Sequence, residues 1–383
     1  MEFVCEKSDW VSGVRLASYA ISARSNLPIL AGIKLEVAGS RLLLQATNLD
    51  RAVRCEIPIE SKGKGGAVVL NGSVLNQIAA HLPADDKVTV RAEGAERTTV
   101  SLRCGEASFD LPTLPAEEYP EIPALPSAKV ASLSAAQFHH GLEHTAFAAL
   151  KAGETTRLSL TGVDLVWKGD QLRMVATNGY RLAVKTLPVP EPHEEGEYLV
   201  EASVLTDLDR VLAQVDASTL DVHRGEGQLF FHAAGVTFMA RTLHDEFPDF
   251  ERVIPRDNPI ALEFDRRALL DALQRIQITA SEDSGAITFR ATPEETAVRI
   301  TSSSKDKGEA EERVHLKKSP SRAVEISFRA EYVIDVLKRV ASEGVTLWLA
   351  DAKKAGLLEP SGDTIAEADQ GFLYVCMPVL LST

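Results

Sequence analysis

Cysteine is scarce, with four in 383 residues, and no CxxC pair among them suggests zinc or redox chemistry. Cys5, Cys55, Cys104 and Cys376 are scattered and are expected to be small buried or half-buried side chains. Long hydrophobic runs are missing as well. Stretches such as "AVVLNG" and "VLAQV" fall far short of the roughly 20 apolar residues a membrane helix needs. The opening "MEFVCEKSDW" carries acids where a secretory signal would carry a basic region and then an apolar one, so a cytoplasmic location is expected. Positive charge is in deficit: 41 Lys and Arg against 55 Asp and Glu give a formal net charge of −14. A protein gripping nucleic acid with its whole surface would be basic, so a DNA-binding role requires its cations to be localised. There is no GxxxxGK[ST] and no GxSxG, and the glycines around 63–66 lack the strand–helix setting of a dinucleotide site.

What is present is a globular composition, 45% hydrophobic and 25% charged, on a chain longer than one core usually grows. The chain also repeats itself. "QATNLDRAVR" at 45–54 and "VATNGYRLAVK" at 175–185 set Thr47-Asn48 against Thr177-Asn178 and Arg51 against Arg181, an offset of 130. "GSVLNQIAAHL" from Gly72 and "ASVLTDLDRVL" from Ala202 keep that offset, and "AEYVIDVLKRV" is a third relative with Tyr332 set against Ser203. "TLPAEEYPEIP" at 113–123 and "TLHDEFPDFERVIP" at 242–255 each lead into a Pro-containing linker. A period this long indicates a duplicated domain rather than a solenoid of 20–50-residue units. Three domains are expected, at 1–126, 127–255 and 256–383.

Each domain opens on an amphipathic helix. Trp10, Val14, Ala17 and Ile21 mark 8–20; Phe138, Leu142, Thr145 and Ala149 mark 134–148; Leu269, Leu270, Leu273 and Ile276 mark 266–277. β-rich runs follow, "RLLLQATNL", "LRMVATNG" and "AVRITSSS", then "KVTVRAEG", "TLDVHRGE" and "GVTLWLAD" after each second helix. The pattern is α+β, two helices and about eight strands per domain, with helices on one face of antiparallel sheets. The six helical segments carry eleven Lys and Arg against ten Asp and Glu, hence +1, and the remainder carries −15. That asymmetry suits one face turned toward phosphate, though solvated helix faces explain it equally well. Six helices spaced about 10 Å apart around a ring would leave a lumen of only about 9 Å, too narrow for a duplex. Twelve helices from two chains would leave roughly 28 Å. A DNA-encircling role therefore requires a dimer.

"RSNLPILAGIKLEV" at 24–37, "MVATNGYRLAV" at 174–184, "EFPDFERVIP" at 246–255 and "YVCMPV" at 374–379, in this order, resemble the signatures of the bacterial sliding clamp family, the beta subunit of DNA polymerase III. The resemblance runs the whole length of the chain. It implies three tandem clamp-fold domains and a head-to-tail homodimer closed around double-stranded DNA, with no catalytic site and no cofactor. Implied partners are the replicative polymerase catalytic subunit, an ATP-driven clamp loader, and other polymerases and repair proteins that carry a clamp-binding peptide.

The resemblance also implies a peptide pocket built from three separated segments. The first contributes Leu160 with Thr177, Gly179, Tyr180, Arg181 and Leu182; the second Pro248, Phe250, Arg252 and Val253; the third Val375, Cys376, Met377, Pro378 and Val379. The chemistry suits a Leu- and Phe-rich motif with a Gln, which needs apolar walls and a few polar fixing points. Met377 and Val375 offer adaptable packing, and Gly179 a turn or a close backbone approach. Taken singly, Leu160, Leu182 and Val253 are equally consistent with ordinary core. DNA contact is implied for Arg24 and for Lys151 and Arg157 in "LKAGETTR". For Arg15, Arg210, Arg266, Arg267, Arg275, Lys338 and Arg339 a phosphate contact and a solvated face stand side by side. Phe109 and Leu111 are expected to face Ile276 and Ile278 of a second chain, or to be internal core.

The chain departs from the family at its end, with Leu380 where relatives often carry a basic residue, and with Ser382-Thr383 added. A more apolar pocket rim and an altered partner preference are expected from this. Two rival readings remain. "HGLEH" at 140–144 fits the H-x-x-E-H pattern of a zinc hydrolase, through His140, Glu143 and His144. A peptide-binding adaptor that never encircles DNA fits the acidic total.

Overall fold

The computed structural model describes residues 1–22, 27–62, 65–84, 87–92, 99–192 and 194–380. Six α-helices punctuate the described chain: α1 (Lys7–Ser18), α2 (Gly72–His81), α3 (Ala135–Thr145), α4 (Ala202–Leu212), α5 (Arg266–Ile276) and α6 (Ala330–Leu337). Local chemistry sets several of their ends. Asn71 caps α2 by accepting from the Val74 N–H at 3.0 Å, and Asp265 caps α5 by accepting from the Ala268 N–H at 2.7 Å. Two helices stop before the sequence pattern does. Helix α1 ends at Ser18, which leaves Ile21 outside it, and α3 gives way at Thr145 to a 3-10 turn, Ala146–Ala148. Thr145 turns its hydroxyl back onto the Gly141 carbonyl at 2.7 Å, a side-chain bond that bends or ends helices.

The chain forms two compact units, and the central third contributes to both. One comprises Met1–Ala135, Glu191–Glu194 and Val204–Thr242; the other comprises Ala136–Pro190, Glu195–Ser203 and Leu243–Thr383. A 14-stranded antiparallel sheet belongs to the first unit, and sheets of eight and four strands belong to the second. In the first unit, Arg51–Pro58 pairs with Val236–Arg241, opposing Val53 and Phe238. In the second, Arg181–Pro188 pairs with Phe372–Cys376, opposing Leu182 and Val375. The two seams are repeat-equivalent: the strand after each Ala-Thr-Asn turn meets the last strand of the following repeat. Joining strands this way removes exposed sheet edges.

Gly308–His315, the corresponding strand of the third repeat, lies at the edge of the four-stranded sheet among the described residues. Each core is aromatic and aliphatic. Phe3 and Trp10 lie 6.3 Å apart between ring centroids in the first unit, and Phe289 and Phe328 lie 6.0 Å apart, edge to face, in the second.

Candidate functional site

The second unit holds a cavity of about 250 Å³ lined by three main segments and by Arg157 and Leu160 of a fourth. The first is a tight turn between the strands Gln171–Thr177 and Arg181–Pro188. Thr177 Oγ1 accepts from the Gly179 N–H at 3.1 Å and donates to the Arg181 carbonyl at 2.7 Å. Asn178 Oδ1 accepts from the N–H groups of Tyr180 and Arg181, both at 2.9 Å. Asx and Thr side chains thus replace backbone partners within the turn. Gly179 sits at φ +88°, and nothing lies within 4 Å of where its Cβ would be. The sequence expectation of a turn or a close approach therefore resolves to the turn: the left-handed backbone selects glycine, not lack of space. Tyr180, 65% exposed, projects from the tip.

The second segment is held against the same sheet. The Leu243 N–H donates to the Leu199 carbonyl at 2.8 Å, and Phe247 packs edge to face on Phe250 with centroids 6.2 Å apart. The Arg173 guanidinium lies 4.9 Å from the Phe250 ring centroid and pairs with Glu251. Asp245 accepts from the Ser159 N–H at 2.8 Å, which fixes the 3-10 turn Leu158–Thr161 and with it Leu160. That N–H is the main cause holding the Asp245 carboxyl below its ordinary range, with the Arg157 charge a minor one.

The third segment continues the strand Phe372–Cys376: the Met377 N–H donates to the Tyr180 carbonyl at 2.8 Å. Its approach is anchored from below. Asp369 accepts from His144 Nε2 at 2.9 Å, from the Ser342 N–H at 2.6 Å and from the Ser342 hydroxyl at 2.5 Å. Lys185 donates to the Gln370 carbonyl at 2.6 Å and also to the carbonyl of Ala368. Gly371, at φ +72°, runs so close that a Cβ would stand 2.5 Å from the Thr186 carbonyl oxygen.

The floor is buried and the rim is not. Val375, 2% exposed, belongs with Val175, Leu182, Val184, Leu199 and Phe247 to one cluster on which Phe250 packs. Tyr180, Val253 and Met377 remain exposed above it. Eleven of the fifteen expected pocket residues line the cavity, and Arg157 and Asp249 join them. Four do not. Arg252 points outward and pairs with Asp249 at 2.6 Å. Cys376 is buried behind the wall, and burial pushes its thiol up to about 12. Pro378 and Val379 turn away, the Val379 N–H bonding the Ser327 carbonyl at 2.8 Å. Arg181 lines the cavity while its guanidinium reaches elsewhere, to Asp335 at 2.8 Å and the Phe147 carbonyl at 2.6 Å.

The expected DNA-facing cations divide. Arg24 lies outside the described residues. Arg15, Lys151 and Lys338 are exposed. Arg157 lines the cavity of the second unit. Arg210 pairs with Asp207 at 2.8 Å, and Arg275 forms a two-pronged pair with Glu312. Arg266 turns inward, donating to the Ser342 and Leu337 carbonyls, both at 3.1 Å, so it anchors the end of α6 and does not reach for phosphate. Of the expected interface residues, Ile278 is 67% exposed and Phe109 and Leu111 are half-buried, whereas Ile276 is 2% exposed. Ile276 is therefore core of α5 itself. The zinc pattern fails at His144, which bonds the His140 carbonyl through Nδ1 and Asp369 through Nε2 and has no nitrogen left for a metal.

Three family models match in tandem. The N-terminal, central and C-terminal domains of the DNA polymerase III beta subunit match residues 1–123, 132–249 and 251–379. The chain belongs to the DNA polymerase III beta subunit family. The beta sliding clamp of Synechococcus elongatus is 29% identical over 386 residues, covering 100% of both chains. The crystal structure of the DNA polymerase III beta subunit of Pseudomonas aeruginosa superposes with a TM-score of 0.90 at 26% identity, covering 100% of both. That of Thermotoga maritima gives 0.90 and 26% over 100% of each chain. Clamps of this family are non-catalytic processivity factors.

Proposed function

We propose that this chain, a DNA sliding clamp, docks short linear segments of its partners in the cavity of the second unit. The contrast between a buried floor at Leu182 and Val375 and an exposed apolar rim at Tyr180, Val253 and Met377 carries this reading. A rim of that kind is where anchor side chains bind. At about 250 Å³ the cavity suits side chains of a peptide better than a drug-sized ligand. Leu and Phe anchors would fill it, while Arg157 and Asp249 offer opposite charges to fix a polar group such as Gln. Polymerase catalytic subunit, ATP-driven loader and other polymerase or repair partners would then compete for one site.

The strand pattern supports a head-to-tail homodimer. Arg51–Pro58 and Arg181–Pro188 each meet the last strand of the next repeat, and Gly308–His315 presents a sheet edge among the described residues. Among the described residues the last strand of the first repeat, Ala107–Leu114, pairs on its second side only at Thr113 and Leu114. Gly308–His315 of one chain would complete Ala107–Leu114 of another, with Phe109, Leu111 and Ile278 near the junction. Domain limits at 126 and 255, a cytoplasmic location and encirclement of duplex DNA complete this reading. A closed ring needs only weak, sequence-independent phosphate contacts, because linkage prevents loss, and Arg15, Lys151 and Lys338 are the exposed cations for it.

Phe250→Ala and Met377→Ala should each weaken a labelled Leu/Phe-containing partner peptide by about 2 kcal/mol or more, roughly 30-fold in Kd. Unchanged affinity in both variants would remove the pocket. Retention on circular but not linearised plasmid tests encirclement, and a monomeric mass at micromolar concentration would count against the ring.

A further inference from the structure

We propose that His139, His140 and Glu143, on one turn of α3, form a binding site for a single first-row divalent transition ion of the zinc or copper kind. The set differs from the H-x-x-E-H pattern, since His144 is committed to Asp369 and His139 takes its place. His139 Nε2 lies 3.3 Å from Glu143 Oε2, and His140 Nδ1 lies 3.5 Å from the same oxygen. All three ligand atoms fall within 4.8 Å of one another. Ligands bound to zinc at about 2.0–2.2 Å in a tetrahedron stand roughly 3.3–3.5 Å apart, so two of the three edges already have the required length.

The third edge, between the imidazoles, needs only rotation of part-exposed rings whose centroids are 5.4 Å apart. His140 Nδ1 is shielded from solvent yet makes no hydrogen bond among the described residues, an imidazole nitrogen whose nearest ionic neighbour is Glu143. Arg339 is held by other groups, its guanidinium lying 4.1 Å from the Phe147 ring centroid and donating to the Asp335 carbonyl at 2.7 Å, while its charge is felt at Glu143.

Two imidazoles and one carboxylate suit zinc, copper or nickel and disfavour magnesium and calcium, which take oxygen ligands. Three protein ligands leave a coordination position open to water or to an outside oxygen donor. The ion would bridge residues 139, 140 and 143 and staple the turn that precedes the bend at Thr145. The inference is binding and not catalysis.

The test is equilibrium dialysis of the tag-free full-length chain against Zn²⁺ alone, with Co²⁺ absorption as a second readout. One ion per chain is expected, resistant to millimolar Mg²⁺. Glu143→Gln and His139→Gln should each weaken it at least 10-fold, since even outer-sphere changes at metal sites typically cost 10–100-fold. His81→Ala, at an exposed histidine elsewhere, should leave it unchanged. Binding that survives Glu143→Gln with His139→Gln, that yields to Mg²⁺, or that is absent from wild type would overturn the site.

Discussion

The two Ala-Thr-Asn turns share one frame and differ in what is built over it. Thr47 and Asn48 make the same four turn bonds as Thr177 and Asn178, at 2.8–3.1 Å against 2.7–3.1 Å. Arg51 pairs with Asp207 at 2.9 Å and donates to the Tyr19 carbonyl; Arg181 pairs with Asp335 at 2.8 Å and donates to the Phe147 carbonyl. Above the first turn the segment 113–123 is three residues shorter than its counterpart 242–255. Its Tyr119 hydroxyl accepts from the Thr47 N–H at 3.1 Å and donates to the Gly32 carbonyl at 3.1 Å, and Ile122 packs down on Ala52, Phe230 and Met239. The longer segment instead carries Phe250 and Val253 and stands clear enough to leave a cavity. The cavity goes with the longer connection, over a supporting turn that is the same in both copies.

The largest effect that separates the copies should come from the ion pairs. Asp207→Ala and Asp335→Ala each strand a largely buried guanidinium, which costs on the order of 3 kcal/mol. Thermal melts should fall for both, but partner-peptide affinity only for Asp335→Ala. Equal loss of peptide binding in both would mean that the first turn also supports the site.

Position 185 offers a pH-dependent contrast, because its counterpart in the first copy is Cys55. Burial lowers the Lys185 ammonium from 10.5 to about 8, opposed in part by Asp369. Between about pH 8 and 10.5 the unfolded chain binds this proton and the folded chain does not, so the group's contribution to stability rises with pH in that window. Chemical denaturation of wild type and Lys185→Met at pH 7.5 and 10.5 should show wild type gaining on the variant by roughly 2 kcal/mol. A difference independent of pH would show that the ammonium is not held in this environment.

Which features the sequence carried follows from range. The turn, Val375 and Met377 were legible because each sits in a contiguous phrase with its own local chemistry. For Arg157 the family resemblance implies DNA contact, and only the fold brings it into one cavity lining with Pro248 and Val375. For Arg266 the sequence leaves a phosphate contact and a solvated face side by side, because its acceptor carbonyls at Leu337 and Ser342 lie more than 70 residues away. Ile276 stood at helical spacing with Leu269 and Leu273, a pattern that already marked it as core. The Asp369 anchor gave no sequence signal, because its partners come from α3 and from the segment after α6.

The turns also differ at their tips, in a way that reverses the usual cost of glycine. Leu49 adopts φ +79° where Gly179 adopts +88°. Leu49→Gly should relieve that backbone and gain about 0.5–1 kcal/mol, and Gly179→Ala should lose about 1–2 kcal/mol although its Cβ has room. Paired melts measure both; opposite signs from these would mean the two backbones are not equivalent.

The smallest expected effect lies at Leu380, the last described residue, which is 68% exposed. An apolar side chain there offers contact area to an apolar anchor that extends past the cavity, and a guanidinium would add charge without removing the floor. Leu380→Arg should therefore weaken an uncharged Leu/Phe peptide by a few tenths of a kcal/mol, the scale of a surface substitution. The same variant should gain on a peptide with an acidic flank, and that gain should fade with added salt as exposed charge pairs do. Titrating both peptides against both proteins at two ionic strengths separates the cases. Equal affinities throughout would place Leu380 outside the rim and confine the difference between the two copies to the walls at Phe250 and Met377.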